Sequence, residues 1–195
     1  MPESQYNQAV TVSTGDPETV SDSPARVEAQ GGWFGQLGQY TTIKRPGPAG
    51  TRGAEAYRDV AYRYVKMDST MSIAPYLGAV AWWSNRAAYT VTTSNANRGA
   101  IAGVFQNPAS KPLNAARGDY CFIATGGPAT VKMVDAPASS PAAIGIFVIP
   151  SATAAKADTI AAGGAATYPT LGITEGTWNP VTTEAIVELR IPATP

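Results

Sequence analysis

Three features of the chain predict an all-β fold. Short runs rich in Val, Ile, Tyr, Phe and Thr recur between Gly, Pro, Asn and Asp. Several of them alternate apolar and polar residues, the period of a strand with one covered face. The alanine-rich stretch 152–166, which invites a helix, is broken by Gly163-Gly164 and carries little apolar bulk on any one face. The expected architecture is a sandwich or partly closed barrel of roughly seven to ten short antiparallel strands over residues 54–195. An extended N-terminal arm over residues 1–53 precedes it.

The arm is set apart by composition. Pro2, Pro17, Pro24, Pro46 and Pro48 are spread among Ser, Thr, Gln, Asn and Gly, and such a segment buries too little apolar surface to offset its own ordering entropy. Within it Gln8 to Ser13 reads as a short strand through Val10 and Val12. Gly31-Gly32-Trp33-Phe34-Gly35 places two large aromatics between glycines, with Leu37 and Tyr40 just beyond. Trp33, Phe34, Leu37 and Tyr40 are the candidate partner-binding residues. They either fill a pocket on a partner or fold back on the chain's own β domain.

Thr51 to Met67 fits helical spacing through Tyr57, Val60, Ala61, Tyr64 and Val65, but Tyr and Val enrichment favours a strand toward Met67 after a short helical turn. Gly78 to Trp83 and Ala88 to Thr93 read as two strands joined by Ser84-Asn85-Arg86. Ala100 to Gln106 is a short apolar run, and Asn107 to Gly118, with Pro108 and Pro112, reads as a loop. Tyr120 to Thr125 and Ala129 to Val134 flank Gly126-Gly127-Pro128, and two glycines supply the positive φ angles of a tight reversal, so a hairpin is predicted. The uninterrupted apolar run Ile144 to Ile149 reads as a central strand, and Ala185 to Ile191 as the closing one. No sequence period repeats, so neither a solenoid nor a propeller is indicated.

Composition narrows the function classes. The chain has 195 residues, 44% hydrophobic and only 14% charged, where about a quarter charged is usual. Its surface is therefore built largely from small and neutral polar residues, which suits packing among many copies. Lys and Arg balance Asp and Glu at 14 each with no basic cluster, which argues against nucleic acid as a partner. No apolar run is long enough for a membrane helix, and the N-terminus lacks the basic flank and apolar core of a signal peptide, so a cytosolic site of synthesis is expected.

Catalysis has few materials here. With no histidine and the single cysteine Cys121, the chain lacks the common general base, the Ser-His and Cys-His pairs and the ligands of a structural zinc site. Paired carboxylates remain, but Glu55, Asp59, Asp68, Asp119 and Asp135 each adjoin a turn or strand end, where acids form turns or carry solvated charge. Neither Gly47-Pro48-Ala49-Gly50 nor Gly126-Gly127 has the Lys-Ser/Thr pair of a phosphate loop. No catalytic residue, metal site or cofactor is assigned, and the chain reads as a non-enzyme. Trp82 and Trp83 could offer one sugar-stacking face, since neighbours on a strand point to opposite sides, but core packing is the expected fate of both.

Gly103-Val104-Phe105-Gln106, a variable loop, Gly118-Asp119-Tyr120, and Gly126-Gly127-Pro128-Ala129-Thr130-Val131 together resemble a pattern in tailed-bacteriophage capsid decoration, or cement, proteins. The likeness runs over roughly residues 60–150, from Tyr62-Arg63-Tyr64-Val65 onward. It implies a virion structural protein on the capsid exterior, with the major capsid protein as partner and a homo-oligomer, a trimer, as its assembled form. A carbohydrate-binding β module and a head-fibre or tail component are the alternatives.

The aromatic pair gives a direct test. Replacing Trp33 and Phe34 together by Ala is expected to weaken partner binding sharply, because each side chain is worth about 1.5–3 kcal/mol when buried. A fall in the melting temperature of the isolated protein would instead assign the pair to its own core.

Overall fold

The computed structural model describes residues 21–22, 37–38, 40–46, 57–94, 100–106 and 120–192 of the chain. They form β1 (Ser21–Asp22), β2 (Tyr40–Pro46), β3 (Tyr57–Met67), β4 (Val80–Asn85), β5 (Thr90–Thr92), β6 (Ile101–Val104), β7 (Tyr120–Lys132), β8 (Ile144–Pro150), β9 (Ala157–Thr159), β10 (Gly172–Asn179) and β11 (Glu184–Arg190). There is no helix among the described residues, and the fold is all-β.

The strands form one continuous hydrogen-bonded system in the order β2-β3-β5-β4-β6-β7-β11-β10-β8-β9, and an additional β3–β7 ladder closes part of it into a ring. β3, β5, β4, β6 and β7 therefore make a closed five-stranded barrel. The second half of β7 pairs with β11, Ala129 opposite Val187 and Val131 opposite Ala185, and opens a second sheet through β10, β8 and β9. A parallel bridge between Met133 and Ala157 ties β9 back to the end of β7.

Two cores follow from this arrangement. Val65, Met67, Ala81, Trp83, Val91, Ala102, Cys121 and Ile123, contributed by all five barrel strands, fill the barrel. Val60, Tyr62, Val80, Trp82, Val104 and Ala124 on the opposite faces of those strands join Val131, Val148, Leu171, Val187 and Leu189 of the second sheet in a larger core. β4 thus carries apolar residues on both faces, which is why Trp82 and Trp83 are 0% and 4% exposed although they point opposite ways. Cys121 is fully buried, as expected for a packing residue.

β7 corrects the predicted hairpin, for it runs unbroken through Gly126-Gly127-Pro128. A two-residue hairpin turn of the type two glycines favour needs positive φ at both central positions, and only Gly127 adopts it, at 82°. The result is a bulge-like kink with a register shift against β3 at Ala61/Tyr62. The kink changes which residues face inward: Ala124 and then Ala129, Val131 and Met133 all face the larger core, an even number giving way to odd ones. Gln106 assists beyond the kink, its side-chain amide donating to the Thr130 carbonyl at 2.8 Å and accepting from the Thr130 N–H at 3.0 Å. A side chain there stands in for a neighbouring strand.

Other expectations meet mixed outcomes. β3 realises the strand reading of the ambiguous segment before Met67, and Val131 and Met133 are buried while Lys132 and Val134 are half-exposed. The run 152–166 holds only the three-residue β9 within irregular chain. Within the stretch read as an arm, β2 pairs along its whole length with β3, from Tyr40 opposite Arg63 to Pro46 opposite Tyr57, and β1 pairs with Cys121 and Tyr120 of β7. The strand expected over Gln8 to Ser13 lies outside the described residues. The run at Ile144 is a strand, but not one buried on both faces, as the next subsection describes.

The kink is testable. A Cβ at position 127 would lie 2.1 Å from the Asp59 carbonyl oxygen, on a backbone that already disfavours L side chains. Gly127→Ala is therefore expected to cost more than about 2 kcal/mol in urea unfolding. An unchanged midpoint would mean that the kink is not a constraint.

Candidate interaction surface

β8 was expected to be a buried central strand, yet Ile144 and Phe147 are 65% and 54% exposed. Its pairing with β10 explains the difference. Phe147 lies opposite Ile173 and Ile144 opposite Glu175, so three steps along β8 match two along β10. β8 thus holds an extra residue, and Gly145, with φ of 82° and open space where a Cβ would stand, takes up the bulge. The bulge rotates Ile144 out of the inward-facing set and onto the outer face with Phe147 and the half-buried Ile173, while Val148 stays in the core. The sequence did carry the signal, because a glycine inside an apolar strand run marks a bulge.

The turn after β10 adds a third exposed apolar residue. Val181 is 91% exposed, yet the backbone around it is held firmly. Asn179 Oδ1 accepts from the N–H groups of Val181 and Thr182 at 3.0 and 3.2 Å. Thr182 Oγ1 donates to Glu184 at 3.0 Å, and Lys132 Nζ donates to the Thr182 carbonyl. The antiparallel register of β8, β10 and β11 puts this turn and the start of β8 at the same end of the second sheet. Among the described residues, three of the four exposed large apolar side chains, Ile144, Phe147 and Val181, therefore belong to that sheet or its turn.

The fourth, Tyr40, lies on β2 with its ring against Arg63 of β3. Arg63 is only 2% exposed, with its guanidinium 4.2 Å from the Tyr40 ring centroid and 5.5 Å from that of Trp83, while Tyr89 meets Trp83 edge-on at 6.1 Å. Burial holds the Arg63 pKa below its ordinary value, an effect that Tyr89 opposes and Arg86 reinforces. Leu37 packs with Tyr64, Tyr120 and Phe122, and the N–H of Gly38 donates to the Tyr64 carbonyl at 2.8 Å. Of the four arm residues singled out in the sequence, Leu37 thus packs on Tyr64, Tyr120 and Phe122, and Tyr40 on Arg63. Trp33 and Phe34 fall outside the described residues.

Two of the carboxylates weighed for catalysis are held by local partners. Asp68 accepts from the hydroxyl and N–H of Thr70 at 2.7 and 2.8 Å, and these bonds lower its pKa. Asp135 pairs with Lys156 at 2.8 Å, which lowers its pKa as well. Asp59 is exposed on β3, and Glu55 and Asp119 lie outside the described residues. No group of three or more Cys, Asp or Glu among the described residues is placed to hold a metal ion. Trp82 and Trp83, both buried, offer no stacking platform.

Comparison with protein-family models, with characterised proteins and with solved structures finds no match to this chain.

The Tyr40–Arg63 contact yields a stability prediction. Tyr40→Leu, which keeps apolar bulk but removes the π face over Arg63, is expected to cost about 0.5–1 kcal/mol in chemical denaturation, as for a partly exposed cation–π pair. No change would mean that Tyr40 contributes only bulk.

Proposed function

We propose that this protein is a structural component that binds the outside of a tailed-bacteriophage capsid and reinforces the mature shell. The observation that carries the reading is the outward placement of Ile144, Phe147 and Val181 on one sheet of a chain with few charges. Large exposed apolar side chains on one sheet of a folded domain suit a contact with another macromolecule, and the hydrogen-bonded turn presenting Val181 is organised in advance for such a contact. The likeness of Gly103 to Gln106, Gly118 to Tyr120 and Gly126 to Val131 to decoration proteins supplies the class of partner, the major capsid protein.

On this reading the mechanism is linkage. A ligand that binds only the expanded lattice stabilises it by an amount set by concentration over dissociation constant, about 2.7 kcal/mol per site at a hundredfold excess. Several contacts made by one oligomer would compound the effect through avidity.

Replacing Ile144 and Phe147 together by Ser tests the surface. The isolated variant is expected to keep its stability within about 0.5 kcal/mol, as exposed positions do, while losing at least about tenfold in affinity for expanded shells of the encoding phage in co-sedimentation. Undiminished co-sedimentation by a folded double variant would overturn this assignment of the surface.

A further inference from the structure

A bulge removes part of a regular ladder, and the backbone groups it releases need other partners. At the start of β8 one buried side chain supplies them. Thr174 of β10 is 0% exposed. Its hydroxyl accepts from the Ile146 N–H at 3.0 Å and donates to the Ala143 carbonyl at 2.5 Å. A hydroxyl has one donor and can accept at the same time, so this single group spans Ile144-Gly145, the two residues between its partners.

We infer that the Thr174 hydroxyl is the positioning group of the interaction surface, holding β8 in the register that turns Ile144 outward. The competing register is a regular one. Counted without a bulge from Phe147 opposite Ile173, Ile146 would stand opposite Thr174 and Ile144 opposite Gly176. Ile144 would then share the inner side of the sheet with Thr174, because alternate residues of a strand face the same way. That register needs no positive φ at Gly145, and it would pair the backbone of Ile144 to Ile146 with β10 rather than with a side chain. The bulged register prevails because the hydroxyl satisfies the Ile146 N–H and the Ala143 carbonyl without a ladder, and because glycine accepts a φ of 82°. Valine at position 174 would keep the β-branched shape and lose both bonds, so the balance would move toward the regular register. The inference concerns the same surface as the proposed function, and its consequence for shell binding rests on that reading.

The test is the rate at which a maleimide labels Ile144→Cys in the full chain, read without capsids, since the native Cys121 is buried. Labelling is expected to slow at least about tenfold when Thr174→Val is added, as the outward state loses population. Thr174→Ser, which keeps the hydroxyl, is expected to label at the rate of the parent. Equal rates in Thr174→Val and the parent would overturn the inference. Slowing in Thr174→Ser would overturn it too, because the shape of the side chain and not its hydroxyl would then be the cause. Where Thr174→Val does not fold, amide exchange in the unaltered chain decides: the Ile146 N–H is expected to exchange at least about a hundredfold more slowly than an open amide, and exchange at the open rate would overturn the inference. Co-sedimentation with expanded shells separates this inference from the capsid reading. Thr174→Val is expected to lose affinity in step with its labelling. Slowed labelling with undiminished co-sedimentation supports the positioning role and overturns the assignment of Ile144 to the capsid contact, whereas unchanged labelling overturns the positioning role alone.

Discussion

The structure depends on how β7 satisfies two sets of neighbours at once. Its first half closes the barrel against β3 and β6, and its second half begins another sheet against β11. A straight strand alternates strictly between faces, so apolar residues beyond the junction would turn away from the core that Ala124 enters. The local geometry at Gly126-Gly127 removes the conflict by inserting half a period. The Asp59 carbonyl lies where a Cβ of residue 127 would stand, so the approach of β3 also depends on that position having no side chain.

With the kink in place, other features become consequences. β4 lies between the barrel interior and the larger core, so both of its tryptophans are consumed by packing. The full burial of Trp82 leaves its indole N–H without a hydrogen-bond partner, a cost that dense apolar contact on all sides must outweigh. Arg63 meets its burial differently. Its guanidinium lies over the rings of Tyr40 and Trp83, whose faces offer a cation partial compensation for lost water.

Much of this was legible in the sequence because it depends on local alternation. The runs at Val80, Ile101 and Ala185 identified their strands, and the position of Cys121 inside an apolar run predicted its burial. What was not legible depends on partners distant in the chain. Gly126-Gly127 is compatible with both a reversal and a kink, and the choice is made by β11, more than fifty residues later, which competes for the second half of β7. At Ile144 the apolar content suggested burial, while the glycine beside it held the contrary information. The exposed surface therefore rests on one residue whose meaning appears only once β10 is aligned with β8. The tip residue Val181 had no such marker, for its exposure follows from a turn held by Asn179 and Lys132.

The central position of β11 has a consequence in time. It lies between β7 and β10, so no intermediate that lacks it can complete either the second sheet or the larger core. Meanwhile the second half of β7 has Gln106 on one side and an open row of backbone donors and acceptors on the other. Most pairings in this molecule join segments far apart in the chain, so loop-closure entropy is spent before contacts repay it, and such topologies fold slowly. The waiting edge of β7 is then the point at which folding chains at high concentration are most exposed to pairing with the wrong strand.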